Sequence, residues 1–116
     1  MKSRLLSLAS AGLILTASTV AAVAADPIEG MWVTGDKVLL KISKCGGEYC
    51  VDVADGKYAG QRSGTFKADG GTYTGTLKQF STGISFTGVA KISGNVMDLE
   101  AKKFGVTVKR DKWMRQ

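Results

Sequence analysis

The sequence predicts an all-β domain, a small antiparallel meander barrel of about eight strands. Three observations predict it. Apolar residues recur with a period of two in nearly every run after residue 25. Turn signals separate the runs, at Thr34-Gly35-Asp36, Gly46-Gly47, Asp55-Gly56, Asp69-Gly70-Gly71, Thr82-Gly83 and Gly94-Asn95, with a weaker one at Arg110-Asp111. The spacing is about 8–12 residues, with no helical pattern between the turns. The chain spends 15 glycines and one proline on this plan in 116 residues.

Residues 1–25 read as a secretory signal peptide. Lys2 and Arg4 supply the positive start, Leu5 to Leu15 the apolar core, and Ala22-Val23-Ala24 the small-x-small cleavage signal. Cleavage is expected after Ala24 or Ala25. The apolar run is too short and too rich in Ala, Ser and Thr for a stable membrane span, which needs about 20 apolar residues. The expected address is the bacterial periplasm or the outside. Residues 26–116 remain as a single β-barrel domain.

The first mature run carries Gly30-Met31-Trp32. Next, Val38, Leu40 and Ile42 alternate with Leu39, Lys41 and Ser43. Cys45 and Cys50 bracket Gly46-Gly47-Glu48-Tyr49. In an oxidising compartment two cysteines this close pair, provided the chain turns back between them, and the glycines allow that turn. Four intervening residues between two strands suit a structural staple better than a redox-active pair. Tyr49, Val51 and Val53 continue on the return strand. Lys57 to Ser63 is the least regular stretch and reads as a mobile loop. Tyr73, Gly75 and Leu77 form the next apolar face, then Ile84, Phe86, Gly88, Ala90 and Ile92, then Met97, Leu99 and Ala101, then Phe104, Val106 and Val108. Trp113-Met114-Arg115 closes the last strand.

A meander of this length removes its unpaired edges by closing. Eight strands enclose an interior that side chains fill or that holds one small ligand. Inward Gly75, Gly88 and Ala90 leave both options open. If the interior is hollow, Tyr73, Leu77, Phe86 and Met97 are the candidate cavity lining.

Chemistry is sparse. There is no histidine, and two cysteines cannot make a multi-ligand zinc site. Asp98 and Glu100 share a strand face about 7 Å apart, but Met97, Leu99 and Ala101 claim the inside and turn both acids to water. Asp52 and Asp55 read as turn caps. Only Arg110 and Asp111 are ambiguous as interior charges. Serine and threonine lack a marked base. No catalytic residue, metal site or cofactor is expected, and the chain reads as a non-enzyme. The net charge is +6, with Lys102, Lys103, Lys109, Arg110, Lys112 and Arg115 gathered near the end. These read as solvated edge charge or as an anion-attracting rim. The address and the few aromatics argue against nucleic acid.

A Gly-x-Trp start, here Gly30 and Trp32, with Trp113 and Arg115 at the end, resembles the closure signature of the calycin barrels, which include lipocalins and avidins. The resemblance implies that Trp32 plugs one end, that Gly30 lets the chain pass close by, and that Arg115 stacks over the indole. The chain more closely resembles the bacterial family called domain of unknown function 2147. The matching residues are Asp26 to Trp32, Val38 to Cys45 with Gly46 and Cys50, Gly71-Thr72-Tyr73 with Gly75-Thr76-Leu77, Phe104-Gly105, and Trp113-Met114-Arg115. That family implies an exported, small, β-rich protein paired at its two cysteines. It departs over Asp55 to Ala68, which is shorter here and lacks an Arg-Pro and Trp-rich segment.

The expected function is therefore binding. The partner is a small apolar ligand inside a monomeric barrel, or an anionic envelope component at its rim. The alternative is a protease inhibitor acting through the N-terminal segment Asp26-Pro27-Ile28-Glu29, which a proline would stiffen.

Overall fold

The computed structural model describes residues 26–116, so the expected leader lies outside the described residues. The described residues form β1 (Gly30–Val33), β2 (Leu39–Cys45), β3 (Glu48–Val53), β4 (Arg62–Asp69), β5 (Thr72–Gln79), β6 (Ile84–Ser93), β7 (Val96–Lys103) and β8 (Val106–Arg115), with no helix among them. Each strand pairs antiparallel with the next, and β8 returns to β1 to close the barrel. The closing seam is short: Trp32 pairs with Arg115, and Val33 with Met114.

Turn chemistry differs between the two ends. At one end β2–β3, β4–β5 and β6–β7 are joined by Gly46-Gly47, Gly70-Gly71 and Gly94-Asn95. The first glycine of each pair has φ of +68°, +59° and +60°. This is the two-residue turn whose twist matches the strands, and glycine occupies the position that needs positive φ. The disulfide Cys45–Cys50 straddles the first of these turns with Cα atoms 5.8 Å apart. Its loop is short, so chain entropy gives it about 2 kcal/mol. At the other end, residues 34–38, 54–61 and 80–83 make longer connections, and only Phe104-Gly105 is a tight turn.

The core is the inner face of the barrel. Ile28, Trp32, Val51, Phe66, Ala90 and Met97 have no solvent exposure. The inward glycines do two different jobs. A Cβ on Gly75 would sit 1.7 Å from the Thr65 carbonyl oxygen, and one on Gly64 1.9 Å from that of Thr76. Here glycine lets β4 and β5 approach closely. A Cβ on Gly88 would instead meet Leu77 and Leu99 methyl carbons at 3.2 Å. The space that Gly88 leaves is filled by its neighbours.

Three expectations change. Phe104, Val106 and Val108 do not continue an apolar inner face, since they are 97%, 63% and 62% exposed. Phe104 sits in the turn, and the register slips between Ala101 and Lys102, so that Ala101 pairs with Lys109 but Lys102 with Thr107. The slip leaves Val108 unpaired and reverses the alternation beyond it. Arg110-Asp111 is not a turn. The two residues pair with Glu100 and Leu99 in mid-strand. Asp52 does not cap a turn either; it forms an ion pair with Arg62 at 2.7 Å across β3 and β4. Backbone bonds close the stretch after Val53: Gly60 N donates to Val53 O at 2.8 Å, and Val53 N to Gln61 O at 2.9 Å.

Candidate functional site

The glycine-turn end is closed by the chain itself. Residues 26–29 fold across it, and Glu29 N donates to Asp26 O at 2.9 Å. Ile28 drops into the barrel, and its carbonyl accepts a 2.9 Å hydrogen bond from Trp32 Nε1. Arg115 lies over the indole with its guanidinium carbon 4.3 Å from the ring centroid. The same guanidinium donates to Glu29 O at 2.9 Å and Pro27 O at 2.6 Å. A cation over an indole face contributes about 0.5–2 kcal/mol. The carbonyl bonds add direction, because five donors in a planar fork can bridge several acceptors. Gly30 has φ of +128°, and a Cβ there would meet Arg115 Nη1 at 3.0 Å.

A second polar group locks the same end. The Tyr49 hydroxyl donates a short hydrogen bond to the Asp26 carboxylate. That bond, with burial and the neighbouring negative charge, pushes the Tyr49 phenol up to about 12. Tyr73 packs edge-on against Tyr49 with centroids 5.7 Å apart. Burial, and then the Asp26 charge, raise its pKa too.

The opposite end is open. A cavity of about 910 Å³ enters there and reaches down to Trp113. Six strands contribute apolar wall residues, among them Leu40 from β2, Val53 from β3, Leu77 from β5, Phe86 from β6, Leu99 and Ala101 from β7 and Trp113 from β8. At this end the large apolar side chains Tyr58, Phe80 and Ile84 line the mouth, whereas Ile28 and Trp32 at the other are fully buried. The residues above the wall, such as Ser63, Lys103 and Lys109, are small or charged and leave the centre empty.

Asp111 stands at this mouth. Its carboxylate accepts from Trp113 Nε1 at 3.0 Å, Lys112 N at 2.9 Å and Gly35 N at 3.3 Å. A Cβ on Gly35 would lie 2.3 Å from Asp111 Oδ1, so only glycine admits the carboxylate so close. Beyond Val33, β1 no longer pairs with β8. Asp111 therefore latches the 34–38 loop to β8 where the ladder stops. Lys109 and Asp36 approach to 4.0 Å beside it, both mostly exposed. On the opposite lip, Tyr58 and Phe80 stack at 5.1 Å.

Leu77 and Phe86 stand in the cavity wall, where a lining was expected. Met97 and Tyr73 do not reach it. Met97 is fully buried, and Tyr73 lies beside Asp26 and Tyr49 at the closed end. Trp32, Gly30 and Arg115 meet at the closed end, whereas Trp113 is the cavity floor. The C-terminal cations do not form one rim. Arg110 pairs with Glu100, Lys112 with Asp98 at 3.1 Å, and Arg115 belongs to the plug. Periodicity missed Leu40, Val53, Leu99 and Trp113 as wall residues, although the first three were on apolar faces. It gives the face of a strand but not the height along the barrel, which tilt and stagger set.

Three carboxylates line the cavity, Asp36, Asp55 and Asp111; Asp111 is already bound by three N–H donors, and Asp36 lies 4.0 Å from Lys109. No family model, no curated protein and no solved structure matches this chain, and the resemblance to the domain of unknown function 2147 family rests on its sequence motifs.

Proposed function

We propose that this chain is a non-enzymatic binding barrel that takes a small apolar molecule into its open half. One observation carries the reading: an apolar-walled cavity of about 910 Å³ that opens at a single end of a barrel plugged at the other. Small-molecule sites span about 300–1,000 Å³ and are mostly apolar with a few placed polar groups. Asp111 and the Trp113 indole N–H it holds are the polar groups nearest the floor. The inhibitor reading loses support. Ile28 is fully buried, and the carbonyls of Pro27, Ile28 and Glu29 are all taken, so the segment is engaged in the plug.

The test is titration with N-phenyl-1-naphthylamine, an uncharged apolar dye that brightens when it leaves water. The expected result is saturable binding by the purified protein. Ala101 lies in the cavity wall and is small, so Ala101→Phe fills the space and should weaken binding about tenfold or more. Circular dichroism checks that the variant keeps its fold. No saturable brightening, or equal binding by a folded Ala101→Phe, sinks the reading.

A further inference from the structure

We propose that the β7–β8 hairpin is a docking tip that inserts Phe104 into an anionic lipid surface. The inference goes beyond the cavity reading and does not depend on it. Phe104 is 97% exposed, the most exposed large apolar residue among the described residues. It also occupies a backbone position that resists it. Phe104 and Gly105 have φ of +54° and +78°. Two successive positive φ values define the turn that favours Asn-Gly, and a bulky side chain there is strained. The three tight turns at the closed end all begin with glycine. Folding gains nothing from an aromatic ring that touches water at a strained position. A partner that removes the ring from water does gain.

The surroundings indicate what that partner is. Val106, Val108 and Ile84 are also largely exposed at this end. Lys102 and Lys103 precede Phe104 and form no ion pair among the described residues, whereas Lys109 and Arg110, which follow it, face Asp36 and Glu100. From Ala101 to Arg110 the sequence has no acid, nor has it any from Gly70 to Met97. Lys103 Nζ donates to Ser85 O at 2.6 Å, tying the hairpin to the start of β6 beside Ile84. The result is a small apolar tip beside two lysines, Lys102 and Lys103, that no carboxylate among the described residues pairs. A stable protein interface needs about 800 Å² per partner, more than four side chains supply. An interfacial anchor needs only an aromatic at headgroup depth and lysines against anionic lipid.

The test is co-sedimentation of the protein with vesicles of phosphatidylglycerol and phosphatidylethanolamine, with phosphatidylcholine vesicles as the uncharged control. Wild type should bind the anionic vesicles and not the control. Phe104→Asn is the informative variant, because asparagine suits the turn. It should melt at or above the wild-type temperature yet lose about tenfold or more in vesicle binding. Lys102→Glu should weaken binding further at low salt. The proposal is overturned if wild type ignores anionic vesicles, or if Phe104→Asn binds them as wild type does. It is also overturned if the substitution changes the oligomeric state by light scattering and leaves lipid binding intact, which would assign the tip to a second copy. Dye titration without vesicles reads the cavity alone, so the two readings can fail separately.

Discussion

The two ends of this barrel face the same solvent with the same strands, yet one is sealed and the other hollow. At the sealed end, tight glycine turns, a disulfide, Ile28, Trp32 and Arg115 use every approach the chain makes. At the open end, long loops carry mostly small or charged side chains with one aromatic stack, Tyr58 on Phe80, and the Asp111 carboxylate ties the 34–38 loop to β8. The difference teaches where stability is concentrated. Buried aromatic and aliphatic surface, with satisfied polar groups, makes the plug costly to disturb. The mouth has little such surface and can change shape at small cost.

The sharpest way to break this comparison is at Trp32. Trp32→Ala removes a side chain with no solvent exposure and leaves Arg115 without its platform. Truncations of this kind cost about 3–5 kcal/mol. In a domain this small that is a large part of the total stability. Urea denaturation followed by circular dichroism should show a midpoint shift of that size. A loss under 1 kcal/mol would mean that the plug is not where the stability lies.

The corresponding cut at the open end is Asp111→Ala. It removes three accepted hydrogen bonds, all partly solvent-exposed, and should cost about 1–2 kcal/mol. Its larger effect is expected in kinetics. With the 34–38 loop unlatched from β8, naphthylamine entry measured by stopped flow should speed up several-fold. A stability loss equal to that of Trp32→Ala would erase the distinction between the ends.

Much of the sealed end was legible in the sequence, because local chemistry dictates it. Gly46-Gly47 and Gly94-Asn95 announce their turns, and Cys45 and Cys50 announce the staple. Six alternating runs, with Gly30-Met31-Trp32 before them and Trp113-Met114-Arg115 after, announce a meander whose ends can meet, although β4 was not among those runs. The hollow end was less legible for two physical reasons. The cavity depends on which inward residues share a height, and that follows from tilt and stagger. The position of Asp111 depends on the register slip opposite Ala101 and Lys102, which no turn residue marks. Phe104 fell with the apolar alternation because its neighbours Val106 and Val108 continue it; only the paired positive φ values show that it is a turn residue.

The mildest test of the comparison is pH. Tyr49 is held neutral at the sealed end by the Asp26 carboxylate, which accepts its proton's hydrogen bond and would repel a phenolate. Its pKa is pushed from the ordinary 10.0 up to about 12. A group whose pKa is higher folded than unfolded contributes stability that is complete below the unfolded value and is lost as pH rises through the folded one. The Tyr49 contribution should therefore be constant up to about pH 10 and disappear between about pH 10 and 12. Lysines deprotonate over part of that range, so the absolute loss is not diagnostic. The diagnostic quantity is the difference from Tyr49→Phe, which keeps the ring and removes the ionisable hydroxyl. Wild type should lose more stability than Tyr49→Phe between pH 10 and 12, with the gap between the two constant below pH 10. Ultraviolet absorbance should show one late phenolate missing from the variant. Parallel curves across that window would mean that the Tyr49–Asp26 bond does not hold the sealed end, leaving the plug to Trp32, Ile28 and Arg115.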